Sequence, residues 1–225
     1  MTELWLTLLP LIVISAIDPI HLIAVVLILR GRGPVPALGW VAGATSVRLL
    51  QGIVFGVLLA SAEQATEVAE APRIVEATLL LALSVLLLVN AIRSILKQPD
   101  EDAPTPGWMT MLTGASAGRA TVLGIVFTVA NPKLWLFTIS AIGAILEADL
   151  TGPAATTTYL LFALLAVSVL LVLTIARALA PEPAGRILAA IGDWLQGNLR
   201  GIKIVVGLVF GAWFLLNSLT KFGLL

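Results

Sequence analysis

Ser15, Ala16, Ile17, Asp18, Pro19 and, in the second half of the chain, Thr128, Val129, Ala130, Asn131, Pro132 decide how this sequence folds. Both stretches read hydroxyl, two apolar residues, a carboxylate or amide, then proline, and both lie inside a long apolar run. Proline has no N–H and its ring clashes with the carbonyl four residues earlier, so a helix running through either stretch kinks there. The carbonyls expected to lose their partners are those of Ser15 and Thr128. Each stretch then exposes a carbonyl, a hydroxyl and a polar side chain at one depth of a bilayer, where unsatisfied groups are costly. Such groups line cavities or helix interfaces.

The surrounding chain supplies the bilayer. Its 225 residues are 59% hydrophobic and 12% charged, with a mean hydropathy of +1.06, far too apolar for a soluble domain of this length. Formal net charge is zero and the charges collect at the ends of apolar runs, which excludes nucleic acid as a partner. The absence of cysteine removes disulfides, thiolate metal sites and thiol relays. One histidine does not make a metal pathway, and neither a metal nor a cofactor is expected. The first 29 residues have no basic leader and too long a hydrophobic stretch for a secretory signal, so they read as a first membrane helix.

Runs long enough to span a hydrocarbon core occupy 4–29, 37–62, 74–96, 120–146, 154–176 and 202–219. The predicted fold is therefore an all-α integral membrane protein with six transmembrane helices, the first and fourth kinked at Pro19 and Pro132. Arg30, Arg32, Arg93, Lys97, Arg119, Arg177, Arg186, Arg200 and Lys203 flank the odd connections. Glu63, Glu67, Glu70, Glu147 and Asp149 occupy the even ones, with only Arg73 basic. By the positive-inside rule both termini face outward from a bacterial plasma (inner) membrane. Residues 98–118, with Pro99, Asp100, Glu101, Asp102, Pro104, Pro106 and Gly107, read as a cytoplasmic linker between halves 1–97 and 119–225. Within the second half, 184–199 puts Ile187, Leu188, Ile191, Trp194 and Leu195 on one helical face, as for an amphipathic helix lying in the cytoplasmic interface or a soluble linker helix packed on the loops.

The halves resemble each other. Beside the two proline stretches, Ser46 and Val47 match Ser168 and Val169, and Leu88, Val89, Asn90 match Leu215, Leu216, Asn217. Three spans per half make the repeats inverted, so the kinks enter from opposite sides and can meet near the midplane, as in secondary transporters.

Asp18, His21, Arg48 and Lys133 lie deep in spans, and an ionisable group there is a functional-site candidate. The structural alternative is that Asp18 pairs with Arg48 or Lys133 only to hold the bundle together. Two cations and one carboxylate leave a positive charge that an anionic substrate group would balance. A Lys133 that has given up its proton would balance it equally well. Thr45, Arg48 and Gln51 recur at three-residue spacing and share a face expected to point inward. Ser15, Thr128 and Asn131 add neutral hydrogen-bonding groups. His21, three residues after Asp18, is placed to donate to it or to shuttle a proton, or else is a structural interface residue. Asn90 and Asn217 are expected to bridge helices. Gly39 and Gly43, Gly52 and Gly56, and Gly207 and Gly211 are spaced for close helix crossings. No paired carboxylates, Ser–His pair or zinc-ligand spacing points to an enzyme.

Trp108, Met109, then Gly118, Arg119, Ala120, then Gly124, then Asn131, Pro132, Lys133 resemble the signature of the GAP family. These are the peptidoglycolipid or sulfolipid addressing proteins of actinobacteria, within the lysine exporter superfamily. Leu9, Pro10, Pro19, Gly39, Trp40 and Gly43 continue the resemblance through the first half. It implies six spans and a role in moving cell-envelope lipids or small amphiphiles to or across the plasma membrane. Asp18 departs from the family pattern, in which serine often stands before the first proline.

The resulting expectation is an exporter of an anionic envelope lipid or amphiphile working by alternating access. In it Asp18 binds the coupling proton or cation, Arg48 and Lys133 receive the head group, and Ser15, Thr128, Asn131, Gln51 and His21 complete the site. Two alternatives are export of a small polar solute, as in the sister lysine exporter family, and a non-transporting scaffold for envelope-lipid biosynthesis. The expected partners are membrane lipids and the transported substrate, with a homo-oligomer left open.

Overall fold

The computed structural model describes residues 2–65, 71–96 and 107–224. Lys97, residues 98–106 of the linker and the loop residues Glu67 and Glu70 lie outside that set, as do the side chains of Glu63, Arg73, Trp108, Leu195 and Gln196. Among the described residues every element is helical: α1 Thr2–Ala16, α2 Pro19–Gly31, α3 Pro34–Ala65, α4 Ala71–Leu96, α5 Gly107–Thr113, α6 Ala117–Val129, α7 Pro132–Glu147, α8 Gly152–Ala166, α9 Ser168–Leu179 and α10 Pro181–Lys221.

Three stretches, Pro34–Leu59, Ala77–Leu96 and Arg200–Lys221, are long and apolar enough to cross a membrane, and three bent pairs raise the number to six if each pair is one span. The bends are 42° between α1 and α2, 71° between α6 and α7, and 54° between α8 and α9. The first two fall at Pro19 and Pro132. The third has no proline and was not expected. There the Val167 N–H bonds back to Leu164 rather than a full turn, and the Ser168 hydroxyl donates to the Leu165 carbonyl at 2.7 Å. Such back-bonding bends helices. Ser46 makes the same bond to Gly43 at 2.8 Å, yet α3 runs on unbroken.

Two further elements differ from expectation. Part of the linker is the helix α5, laid against α2 so tightly that a Cβ on Gly31 would overlap the Thr113 carbonyl. Residues 184–199 are helical but continuous with the last span, as the first half of α10, whose 41 residues extend about 60 Å, twice a hydrocarbon core. The N-terminal half of α10 is held to the protein: Leu188 is buried, Ile191 packs into the core, and Asp193 accepts a 3.0 Å bond from Arg30 of α2. Ile187 and Trp194 remain exposed.

Glycines set the two closest crossings. Gly39 faces Ala117 and Gly43 faces Thr121, while Gly124 faces the Trp40 backbone, so α3 and α6 run parallel with main chains nearly touching. A side chain at Gly43 or Gly124 would strike a carbonyl oxygen on the other helix. In the antiparallel pair α4 and α10, Gly207 and Gly211 seat against Ala91 and Leu88. Serines bridge the same pair: Ser84 donates to the Gly211 carbonyl at 2.8 Å and Ser218 to the Ala77 carbonyl at 2.7 Å. Arg200 donates to the Ser94 and Ile95 carbonyls, satisfying the last turn of α4. Asn90 does not bridge; its amide turns back to Leu86 of its own helix.

The apolar interior is in two parts. One joins α1, α4, α7, α8 and α10 around Leu8, Leu11, Leu83, Phe137 and Phe214. The other joins α2, α3, α5, α6, α9 and the N-terminal half of α10 around Val25, Ile28, Trp40, Ala120 and Leu170. The chain passes from the first core to the second through residues 15–21, and from the second back to the first through residues 128–133. The two proline stretches are therefore junctions between the cores, traversed in opposite directions.

Candidate functional site

At each junction the proline is the first residue of a new helix rather than a kink inside an old one. Pro19 and Pro132 occupy the N-terminal turns of α2 and α7, where the missing N–H is no loss, and Asp18 and Asn131 are the N-caps. The carbonyls expected to stand free do not. Ser15 accepts from the Asp18 N–H at 3.4 Å and Thr128 from the Asn131 N–H at 3.3 Å, a tightened last turn that uses the acceptor the proline abandons. The copies match bond for bond in this respect.

The caps themselves differ. Asp18 Oδ1 accepts from the N–H groups of Ile20 at 3.1 Å and His21 at 3.3 Å, satisfying the start of α2. Its other oxygen, Oδ2, accepts from Lys133 Nζ at 2.9 Å. Lys133 stands in the first turn of α7, where a cation opposes the helix dipole, and the carboxylate offsets that penalty. Asn131 makes no cap bond with its side chain, and its Nδ2 is buried without a partner among the described residues.

His21 lies behind this pair. Trp40 Nε1, which can only donate, gives its hydrogen to His21 Nδ1 at 3.1 Å. The neutral imidazole therefore carries its proton on Nε2, which is buried with no acceptor among the described residues. The side chain does not donate to Asp18, as the spacing suggested; the backbone N–H of His21 does.

On α3, Arg48 and Gln51 are buried and Thr45 is half-buried, as the three-residue stripe predicts. Arg48 interacts electrostatically with Asp18 and His21, but its Nη1 has no hydrogen-bond partner among the described residues. Gln51 Oε1 accepts from Thr138 of α7 at 3.3 Å, with Nε2 unpartnered. Tyr159 of α8 donates its hydroxyl to the Arg48 carbonyl and ties α8 to the site. Thr128 is not a free hydroxyl: it donates to Gly124 of its own helix at 2.7 Å, whereas Ser15 Oγ is buried with no partner among the described residues.

Trp40, Thr138 and Tyr159 belong to the site although no sequence pattern marked them as such. Tyr159 is the chain's only tyrosine, and Thr138 lies within the fourth apolar run. Those were the available signals.

Four buried nitrogens of this cluster thus lack acceptors among the described residues: His21 Nε2, Arg48 Nη1, Gln51 Nε2 and Asn131 Nδ2. The set is rich in donors and carries a guanidinium, the chemistry that receives an oxyanion. No group of three His, Cys, Asp or Glu side chains suited to a metal ion comes together among the described residues.

The family model described as Sap, sulfolipid-1-addressing protein, matches residues 8–220, nearly the whole chain and both proline junctions. Among curated proteins and among solved structures nothing matches. A match of this extent establishes that the chain belongs to the Sap, or sulfolipid-1-addressing protein, family.

Proposed function

We propose that this protein moves an anionic lipid across or to the outer face of the plasma membrane, receiving the head group at the junction of α2, α3 and α7. The observation that carries the reading is Arg48, buried to 2% exposure with Nη1 unpartnered while Asp18 is already committed to Lys133. A buried guanidinium with an unpartnered N–H group, beside a carboxylate already bonded to a lysine, is unfavourable, so a bound anion is the natural complement. Family membership agrees, since a sulfolipid carries an anionic sulfur oxyacid group.

Transport by alternating access is part of the proposal. Several reciprocal relationships support reading the six spans as inverted three-helix repeats. α4 packs along α7 as α10 packs along α2, α2 meets α3 as α7 meets α8, and across the α4–α10 pair Ser84 and Ser218 each donate to a carbonyl of the other helix. Half-helices that begin at the same depth from opposite directions are the hallmark of transporters with midplane sites. On this reading both termini face outward, and the Asp18–Lys133 bond joins the repeats in one conformation and breaks in the other as a proton or the substrate replaces it.

The test is native mass spectrometry of the protein taken from its membrane. Retained anionic lipid that is lost in Arg48→Gln supports the proposal. Equal retention of anionic and zwitterionic lipids by both proteins contradicts it.

A further inference from the structure

The proposed head-group site has no described place for the rest of a lipid, but an apolar groove of about 610 Å³ lies against it. Its walls come from α3, the end of α7 and the start of α8, among them Leu49, Gly52, Gly56, Ile145 and Ala155. Two glycines a turn apart make the space: a Cβ built on Gly56 meets nothing within 4 Å. Ile53, Val57 and Leu160 beside it are exposed, so the groove opens sideways, where the bilayer would be.

Tyr159 connects the groove to the site. One edge of its ring packs so near Gly52 that a side chain there would overlap it, and its hydroxyl reaches one turn back along α3 to the Arg48 carbonyl. The ring lines the groove and the hydroxyl belongs to the polar cluster with Arg48 and Thr138. An amphiphile with its chain in the groove and its polar end at Tyr159 would therefore reach the Arg48 guanidinium, whose Nη1 has no hydrogen-bond partner among the described residues.

We infer that the groove between α3 and α8 holds one acyl chain of the anionic lipid whose head group binds at Arg48, with Gly52 and Gly56 keeping the slot open and Tyr159 dividing chain from head. The inference rests on the proposed function and adds a side portal, distinct from the polar cluster. In hydrocarbon no hydrophobic force draws a chain into the slot, because lipid tails are as apolar as its walls. Selective occupancy must come from the head group, so the groove should prefer anionic lipids although its own walls are uncharged.

The experiment uses the full chain in phosphatidylcholine nanodiscs, with phosphatidylglycerol or phosphatidylcholine probes carrying a photoreactive group in mid-chain. Crosslinks are mapped by peptide mass spectrometry. One charge-assisted contact corresponds to about a tenfold preference, so the anionic probe should label 152–160 and 49–57 about ten times more than the zwitterionic one. Arg48→Gln should abolish that preference. Gly56→Leu, whose side chain enters open space and leaves the fold intact, should cut groove labelling by either probe. Equal labelling of the groove by both probes in the wild type, or labelling unaltered by Gly56→Leu, overturns the inference. If the anionic probe instead crosslinks elsewhere and depends on Arg48, the groove assignment fails while the head-group assignment stands. If no Arg48-dependent preference exists anywhere, both fail.

Discussion

Lys133 Nζ lies 2.9 Å from Asp18 Oδ2, a bond that joins the first turn of α7 to the N-cap of α2 across 115 positions of sequence. The partners are unequal. The Asp18 side chain is 1% exposed and that of Lys133 28%, so only the lysine reaches solvent when the pair is broken.

Lys133→Met strands a buried carboxylate and is expected to cost about 3 kcal/mol. Asp18→Asn keeps a residue able to cap α2 and leaves only the more exposed partner unpaired, at about 1 kcal/mol. The double variant should be more stable than Lys133→Met alone. Thermal unfolding in detergent orders the three, and additive losses would show that the bond contributes nothing.

Trp40→Phe preserves most of the ring that packs on His21 and Phe127 but removes the N–H given to His21 Nδ1. The expected loss is about 1 kcal/mol. Because Nδ1 then has no obligatory donor, the imidazole is free to exchange tautomers, which nitrogen-15 chemical shifts of His21 report. A wild-type tautomer in the variant would show that Trp40 does not fix it.

At the α3–α6 crossing, Gly43→Ala forces the backbones apart and should cost about 1–3 kcal/mol. Gly56→Ala, on the same helix but facing the groove, should be neutral or stabilising by up to about 1 kcal/mol. Equal effects at the two positions would contradict the close approach of α3 to α6.

Ser84→Ala and Ser218→Ala each remove one hydroxyl-to-carbonyl bond between α4 and α10. Each loss is expected to be about 0.6 kcal/mol, and the two should add because the sites lie apart along the helices. Denaturant unfolding of the single and double variants measures this.

Asp18, Pro19, Asn131 and Pro132 were legible in the sequence because a proline in an apolar run has few structural meanings. Its consequence was legible only in part. Loss of a helical partner at the Ser15 and Thr128 carbonyls follows from covalent geometry, but their rescue by the Asp18 and Asn131 N–H groups depends on how the chain turns. The bend at Val167 carries no composition signal, since valine and serine occur in straight spans as well, as Ser46 shows. Fusion of 184–199 with the last span was hidden by the charges at Asp193, Arg200 and Lys203. These end an apolar run without ending a helix. Arg48 and Lys133 stood out as charges at depth, whereas Trp40 and Tyr159 reach the site through contacts between distant helices that no local spacing encodes.

The most direct test of the central claim is transfer of a fluorescent anionic lipid between the leaflets of proteoliposomes, measured for the wild type and for Arg48→Gln of equal thermal stability. Faster transfer by the wild type than by protein-free vesicles, lost in Arg48→Gln and absent for a zwitterionic analogue, is the predicted result. Transfer by Arg48→Gln at the wild-type rate would contradict the account.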